Sequence, residues 1–94
     1  MSLFNIGQLC MTAGVDNRMT QEEEFETFVL ECIKRHVVGD WGLLDDHDIK
    51  ENELSLKKGY RLLSSYKYEK DETKVWIITE ADRSATTVLF PEEY

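Results

Sequence analysis

The sequence predicts a single α+β domain over residues 1–94, with elements in the order β-α-α-β-β-β. Two patterns carry that class. An apolar stripe at Phe25, Phe28, Val29, Cys32, Ile33 and His36 follows the one-face period of an amphipathic helix. Further on, residues 60–90 hold three runs rich in β-branched and aromatic side chains, separated by short polar turns. These connections are too short for crossovers, so the sheet is expected to be an antiparallel meander of three strands, or four with an N-terminal strand. The amphipathic helix packs on one face. Composition agrees: 41% hydrophobic and 32% charged residues, with one proline, belong to a folded chain.

Residues 3–12 alternate imperfectly and read as a first strand, with a bulge or close backbone approach at Gly7. Residues 13–17 read as a loop. Thr20-Gln21-Glu22-Glu23 fits a capping box for the amphipathic helix, and its glutamates suit the positive end of the helix dipole. Lys34 and Arg35 occupy the last turns, and Gly39 suits the C-cap. Residues 40–44 form a connector in which Trp41 plugs the gap between helix end and sheet. Asp45, Asp46 and Asp48 offer N-caps for a second helix, with Asn52 as an alternative cap for a separate short helix, residues 53–58. Lys57-Lys58-Gly59 stops it.

Residues 60–68 resume strand character, with Leu62, Ser64, Tyr66 and Tyr68 on one face and Leu63, Ser65 and Lys67 on the other. Residues 69–73 are a charged turn. Residues 74–90 are the densest apolar run: strands at 75–79 and 85–90 flank a polar tip in which Asp82 can bond its own backbone two residues on. This hairpin is expected at the centre of the sheet. Pro91 ends the pairing. The second sheet face is left partly covered, with Tyr66, Tyr68 and Trp76 as candidates to line it or an interface, so monomer and dimer both fit.

The formal net charge of −8 argues against direct nucleic-acid binding and fits simple solubility, a basic protein partner, or imitation of DNA. No apolar run approaches the roughly 18–20 residues that span a bilayer, and the N-terminus lacks a basic n-region and a long h-region. A cytoplasmic chain without signal peptide or membrane contact is therefore expected. Cys10 and Cys32 lie among apolar neighbours, outside any Cys-x-x-Cys pattern, and read as reduced core residues.

Three constellations could carry chemistry. His36 and Asp40 have the residue types of a base and its orienter, beside Trp41; alternatively His36 is satisfied at the helix end while Asp40 bonds backbone amides in the turn. Glu80, Asp82 and Arg83 at the hairpin tip could bind a polar ligand or a partner's basic side chain, or form a local ion-pair network, with Arg83 also able to reach Asp40 or Asn52. Asp45-Asp46-His47-Asp48 is rich in ligand types but lacks the spacing and glycine of an EF-hand, and reads as a solvated cap cluster. Walker, dinucleotide-binding and zinc-finger patterns are missing, so neither metal nor cofactor is expected.

Several blocks carry a resemblance: His36 with Gly39-Asp40-Trp41-Gly42, Glu51-Asn52, Gly59-Tyr60-Arg61-Leu62-Leu63-Ser64, Trp76-Ile77-Ile78-Thr79-Glu80-Ala81-Asp82-Arg83-Ser84, Thr86-Thr87, and Leu89-Phe90-Pro91-Glu92-Glu93-Tyr94. Together they resemble a family of small bacterial proteins labelled plasmid-related protein or type I restriction endonuclease subunit M-like. The resemblance implies bacterial origin and association with plasmids, phages or other mobile elements. It does not imply methyl transfer, which needs a doubly wound cofactor domain and an Asn/Asp-Pro-Pro-aromatic motif; this chain has one proline, Pro91. It brings no catalytic residues with it. The expectation is a non-enzymatic interaction module with a protein partner, using His36, Asp40, Trp41, Asn52, Glu80, Asp82 and Arg83. The alternatives are an anti-restriction or anti-CRISPR protein acting by acidic DNA mimicry, and a small enzyme using His36 and Asp40 with Arg83 as an anion clamp.

Overall fold

The computed structural model describes residues 2–94 and has the α+β architecture the sequence predicts. The elements are β1 (Gln8–Met11), α1 (Ala13–Gln21), α2 (Glu23–Val37), α3 (Asp46–Lys58), β2 (Leu62–Tyr68), β3 (Thr73–Thr79), β4 (Ala85–Leu89) and a closing 3-10 turn, Pro91–Glu93. The sheet order is β1-β4-β3-β2, so the β3–β4 hairpin occupies the two inner positions. β2, β3 and β4 form the expected antiparallel meander, with Ser64 opposite Ile77 and Ile77 opposite Val88.

The sheet is not a pure meander, because β1 joins β4 in parallel, from Gln8 opposite Ala85 to Met11 opposite Val88. Parallel neighbours need a long crossover, and here all three helices and two strands lie between them. The first strand is also shorter than residues 3–12. Residues 2–6 form a strap tied down by Leu3 N–H to the Val37 carbonyl (2.8 Å) and by the Thr86 hydroxyl to the Ile6 carbonyl (2.7 Å). Gly7, at φ +62°, lies against the backbone of Arg83 and Ser84, a close approach rather than a bulge.

The predicted stripe of α2 packs on one sheet face. Phe25, Val29 and Cys32 of α2 and Val15 of α1 pack in one core with Tyr66, Val75, Ile77 and Val88, and His36 is buried as well. Tyr66 and Tyr68 share this helix-covered face and belong to the core, with the Tyr68 ring edge-on to Phe25 at 5.3 Å. They therefore do not line the second face, as the sequence allowed. Trp76 does lie there, half-buried beside Tyr94 at 5.9 Å.

Two helix assignments need correction. Residues 13–17 are not a loop but the start of α1, capped by the Thr12 hydroxyl accepting from Val15 N–H. Gly14 and Asn17 are weak helix formers, and this helix is held by tertiary contacts. Val15 is fully enclosed, and Arg18 reaches Glu22, Asp71 and Thr73 while lying 4.4 Å from the Phe25 ring. The capping box at Thr20 does not form, because Thr20 lies inside α1 and its hydroxyl donates back to the Asp16 carbonyl. The extended residue Glu22 separates α1 from α2, and its carboxylate accepts from Tyr68 Oη (2.5 Å) instead of capping. Of the two readings open for residues 45–58, the single helix forms: α3 is capped by Asp45, and Asn52 lies buried inside it rather than starting a second. No described helix is long and apolar enough to cross a membrane.

Candidate functional site

His36 is fully buried at the end of α2, and its ring is the centre of a chain of hydroxyls. Nδ1 lies 2.6 Å from Ser64 Oγ and Nε2 2.9 Å from Thr79 Oγ1. Thr79 Oγ1 is in turn 2.7 Å from Thr86 Oγ1, which donates to the Ile6 carbonyl. The proton positions follow from that last acceptor. Thr86 gives its only hydroxyl proton to Ile6, so Thr79 donates to Thr86 and must accept from His36 Nε2–H. In the neutral imidazole Nδ1 is then the acceptor of the Ser64 hydroxyl. Burial pushes the ring's pKa down to about 4, which keeps it neutral at pH 7.

His36 and Asp40 do not pair. The Asp40 carboxylate accepts from Arg35 Nε (2.7 Å) and Nη2 (3.1 Å) and from Gly42 N–H (3.3 Å). The Arg35 hydrogen bonds hold its pKa below the usual carboxylate value. The geometry of a base with its orienter is thus replaced by a buried neutral ring and an exposed ion pair at a helix terminus. Trp41 is buried edge-on to His36 at 5.6 Å and stacked on Phe4 at 6.2 Å, which makes it the predicted plug.

At the hairpin tip, Asp82 accepts from Ser84 N–H at 2.9 Å, the local turn its residue type suggested. Arg83, at φ +61°, donates to the carbonyls of Tyr60 (2.7 Å), Glu80 (3.1 Å), Ala81 (3.2 Å) and Ser55 (3.1 Å). It therefore ties the end of α3 to the hairpin through backbone oxygens, and not through Asp40 or Asn52. Nη1 and Nη2 are thus both committed to backbone carbonyls. Glu80 accepts from Arg61 (3.3 Å), which also donates to Tyr94 Oη (2.7 Å).

Asn52 has a different task. Its amide donates to the Leu63 carbonyl (2.6 Å) and its oxygen accepts from Leu63 N–H (3.1 Å). Two positions along, Ser65 N–H donates to the Trp41 carbonyl and Leu43 N–H to the Ser65 carbonyl. Asn52 and the connector thus stand in for a neighbouring strand and close the outer edge of β2 at Leu63 and Ser65.

The stretches around His36–Gly42 and Glu80–Ser84 come together through Phe4, whose ring is 5.3 Å from His36 and 5.8 Å from the Arg83 guanidinium. The sequence signal for this was the row of hydroxyls (Ser64, Thr79, Thr86) at inward strand positions otherwise apolar. Phe4 carried no signal beyond hydrophobicity. A separate concave surface of about 260 Å³ lies between α3 and β2, with Leu44, Tyr60 and Leu63 beside Asp48 and Glu51. Comparison with protein-family models, curated proteins and solved structures finds no match to the chain.

Proposed function

We propose that this chain is a small cytoplasmic interaction module of plasmid or mobile-element context, non-enzymatic, whose partner is a protein presenting basic side chains. The cleft between α3 and β2 carries this reading. It combines apolar walls from Leu44, Tyr60 and Leu63 with two carboxylates. Among the described residues Asp48 has no cationic partner, and Glu51 faces only His47 at 3.7 Å. The one guanidinium in the lining, Arg61, is paired with Glu80. A lysine or arginine stem could pack on Tyr60 while its charge meets Asp48. The mobile-element context comes from the resemblance described above.

Titration of the labelled protein with an arginine-rich peptide should move the amide resonances of Asp48, Glu51 and Tyr60 first. Asp48→Asn should weaken that binding by roughly three- to tenfold, as loss of a partly exposed charge pair does. A peptide that binds without touching these residues, or binds Asp48→Asn equally well, contradicts the assignment. DNA mimicry has its own supporting observation. The acidic start of α2 meets the acidic β2–β3 turn through Lys70–Glu24 (3.6 Å), and Arg18 of α1 reaches Asp71 of the same turn (2.6 Å). Inhibition of a restriction or CRISPR nuclease that is relieved by Glu24→Gln with Glu26→Gln would favour that reading over the cleft.

A further inference from the structure

The two edges of the sheet are finished differently. On β2, Leu63 is closed by Asn52 and Ser65 by the connector around Gly42. On β1, Gln8 and Thr12 donate to Ser84 and Val88, each at 3.0 Å, so strand alternation turns the N–H and C=O of Leu9 and Met11 away from β4. Among the described residues these outward groups have no hydrogen-bond partner in the chain. Such a row is a template for another strand, and natural edges are usually blunted by lysine, proline or a bulge. Gln8–Met11 has no charged residue and no proline, and Leu9 keeps 39% of its surface exposed.

The distribution of charge selects the partner. Two copies of a chain with net charge −8 repel each other unless they meet through an uncharged face. Residues 1–15 contain no Asp, Glu, Lys, Arg or His, the longest such run in the sequence, and β1 lies within it. The adjoining depression of about 450 Å³, formed by the strap and Val37, adds no charge either. A basic foreign strand would find no counter-charge here, whereas a second copy brings a neutral strand of the same pattern.

We propose that two copies of the chain pair antiparallel through the free edges of β1, about a two-fold axis at Cys10, joining two four-stranded sheets into one. With Leu9 opposite Met11 of the second copy, every outward N–H and C=O of both residues is used; centring the axis on Leu9 would lose the Leu9–Met11 exchange. Cys10 then faces its own counterpart in a non-hydrogen-bonded pair, where Cα atoms are about 4.5 Å apart, within the disulfide range of about 4.4–6.8 Å. This assignment is independent of the cleft and of its partner.

Sedimentation equilibrium of the reduced chain over rising concentration should show a species of twice the 11.0 kDa chain mass. Leu9→Pro removes an N–H that has no partner within the monomer, so it should keep the far-UV circular dichroism and weaken association by about tenfold or more. Mild oxidation by diamide takes two protons and two electrons from a pair of thiols. It should yield a covalent dimer in the wild-type chain and none in Cys10→Ser. A chain that stays monomeric at millimolar concentration overturns the proposal. So does a dimer that survives Leu9→Pro and gives no Cys10 cross-link. If Leu9→Pro fails to fold, the wild-type cross-link decides.

Discussion

Acidification from pH 6.5 to about 4 is expected to remove about 3 kcal/mol of unfolding free energy through His36 alone. The sign follows from the direction of the shift. Burial lowers the folded pKa from 6.5 to about 4, so within that interval the unfolded chain binds a proton that the folded chain refuses. Stability from this group is complete above pH 6.5, falls through the interval, and levels off below it. The reason is burial: a protonated ring would be a charge enclosed away from water and without a counter-charge. The depressed carboxylates start lower, Asp40, Asp71 and Asp82 from 3.8 and Glu22 and Glu93 from 4.5, so their contributions begin to be lost only below about pH 5.5.

Urea unfolding at a series of pH values resolves the two intervals. In His36→Gln the slope between pH 6.5 and about 5.5 should vanish, leaving below it only the slope of the depressed carboxylates, although the variant is less stable at neutral pH. His36→Ala should cost about 3–4 kcal/mol at pH 7, because it opens a cavity and strips the partners from Ser64 and Thr79. Wild-type stability that is flat between pH 6.5 and 4.5 would show that His36 is not held neutral by its surroundings.

Gly42→Ala is expected to cost about 3 kcal/mol or more, against about 1–2 kcal/mol for Gly59→Ala. Both glycines have left-handed backbones, at φ +75° and +78°, so the conformational cost of a side chain is shared. Their surroundings differ. An added Cβ at Gly59 meets nothing within 4 Å, whereas at Gly42 it would overlap the Ser65 carbonyl and lie 2.7 Å from Tyr66 Cδ1. The connector would have to lift from the β2 edge. That would endanger Leu43 N–H to Ser65 (2.7 Å), Ser65 N–H to Trp41 (3.1 Å) and Tyr66 Oη to the Asp40 carbonyl (2.7 Å). Paired denaturation curves of the two variants test this; equal losses would mean that the connector yields freely and does not guard the edge.

The division between sequence and tertiary structure can be followed residue by residue. The stripe of α2 was legible because helical period alone selects a buried face, and Phe25, Val29, Cys32 and His36 are the residues it buries. The inner hairpin was legible because β3 and β4 hold the densest run of strand-forming side chains. Asp82 at its tip was legible because an Asx turn is a contact over two residues. Helix α1 was not, since its stability comes from Arg18 reaching Asp71 and Thr73 more than fifty residues away. The direction of β1 was equally hidden, because four residues cannot specify which neighbour they will join.

For the polar residues the sequence determined only that they were unusual. Tertiary structure decided that His36 would face Ser64 and Thr79 rather than Asp40, that Arg83 would hold four carbonyls, and that Asn52 would close a strand edge. The physical reason is range. Side-chain period and turn chemistry act within one or two turns of the chain, whereas a buried donor needs whichever acceptor the completed fold brings to it.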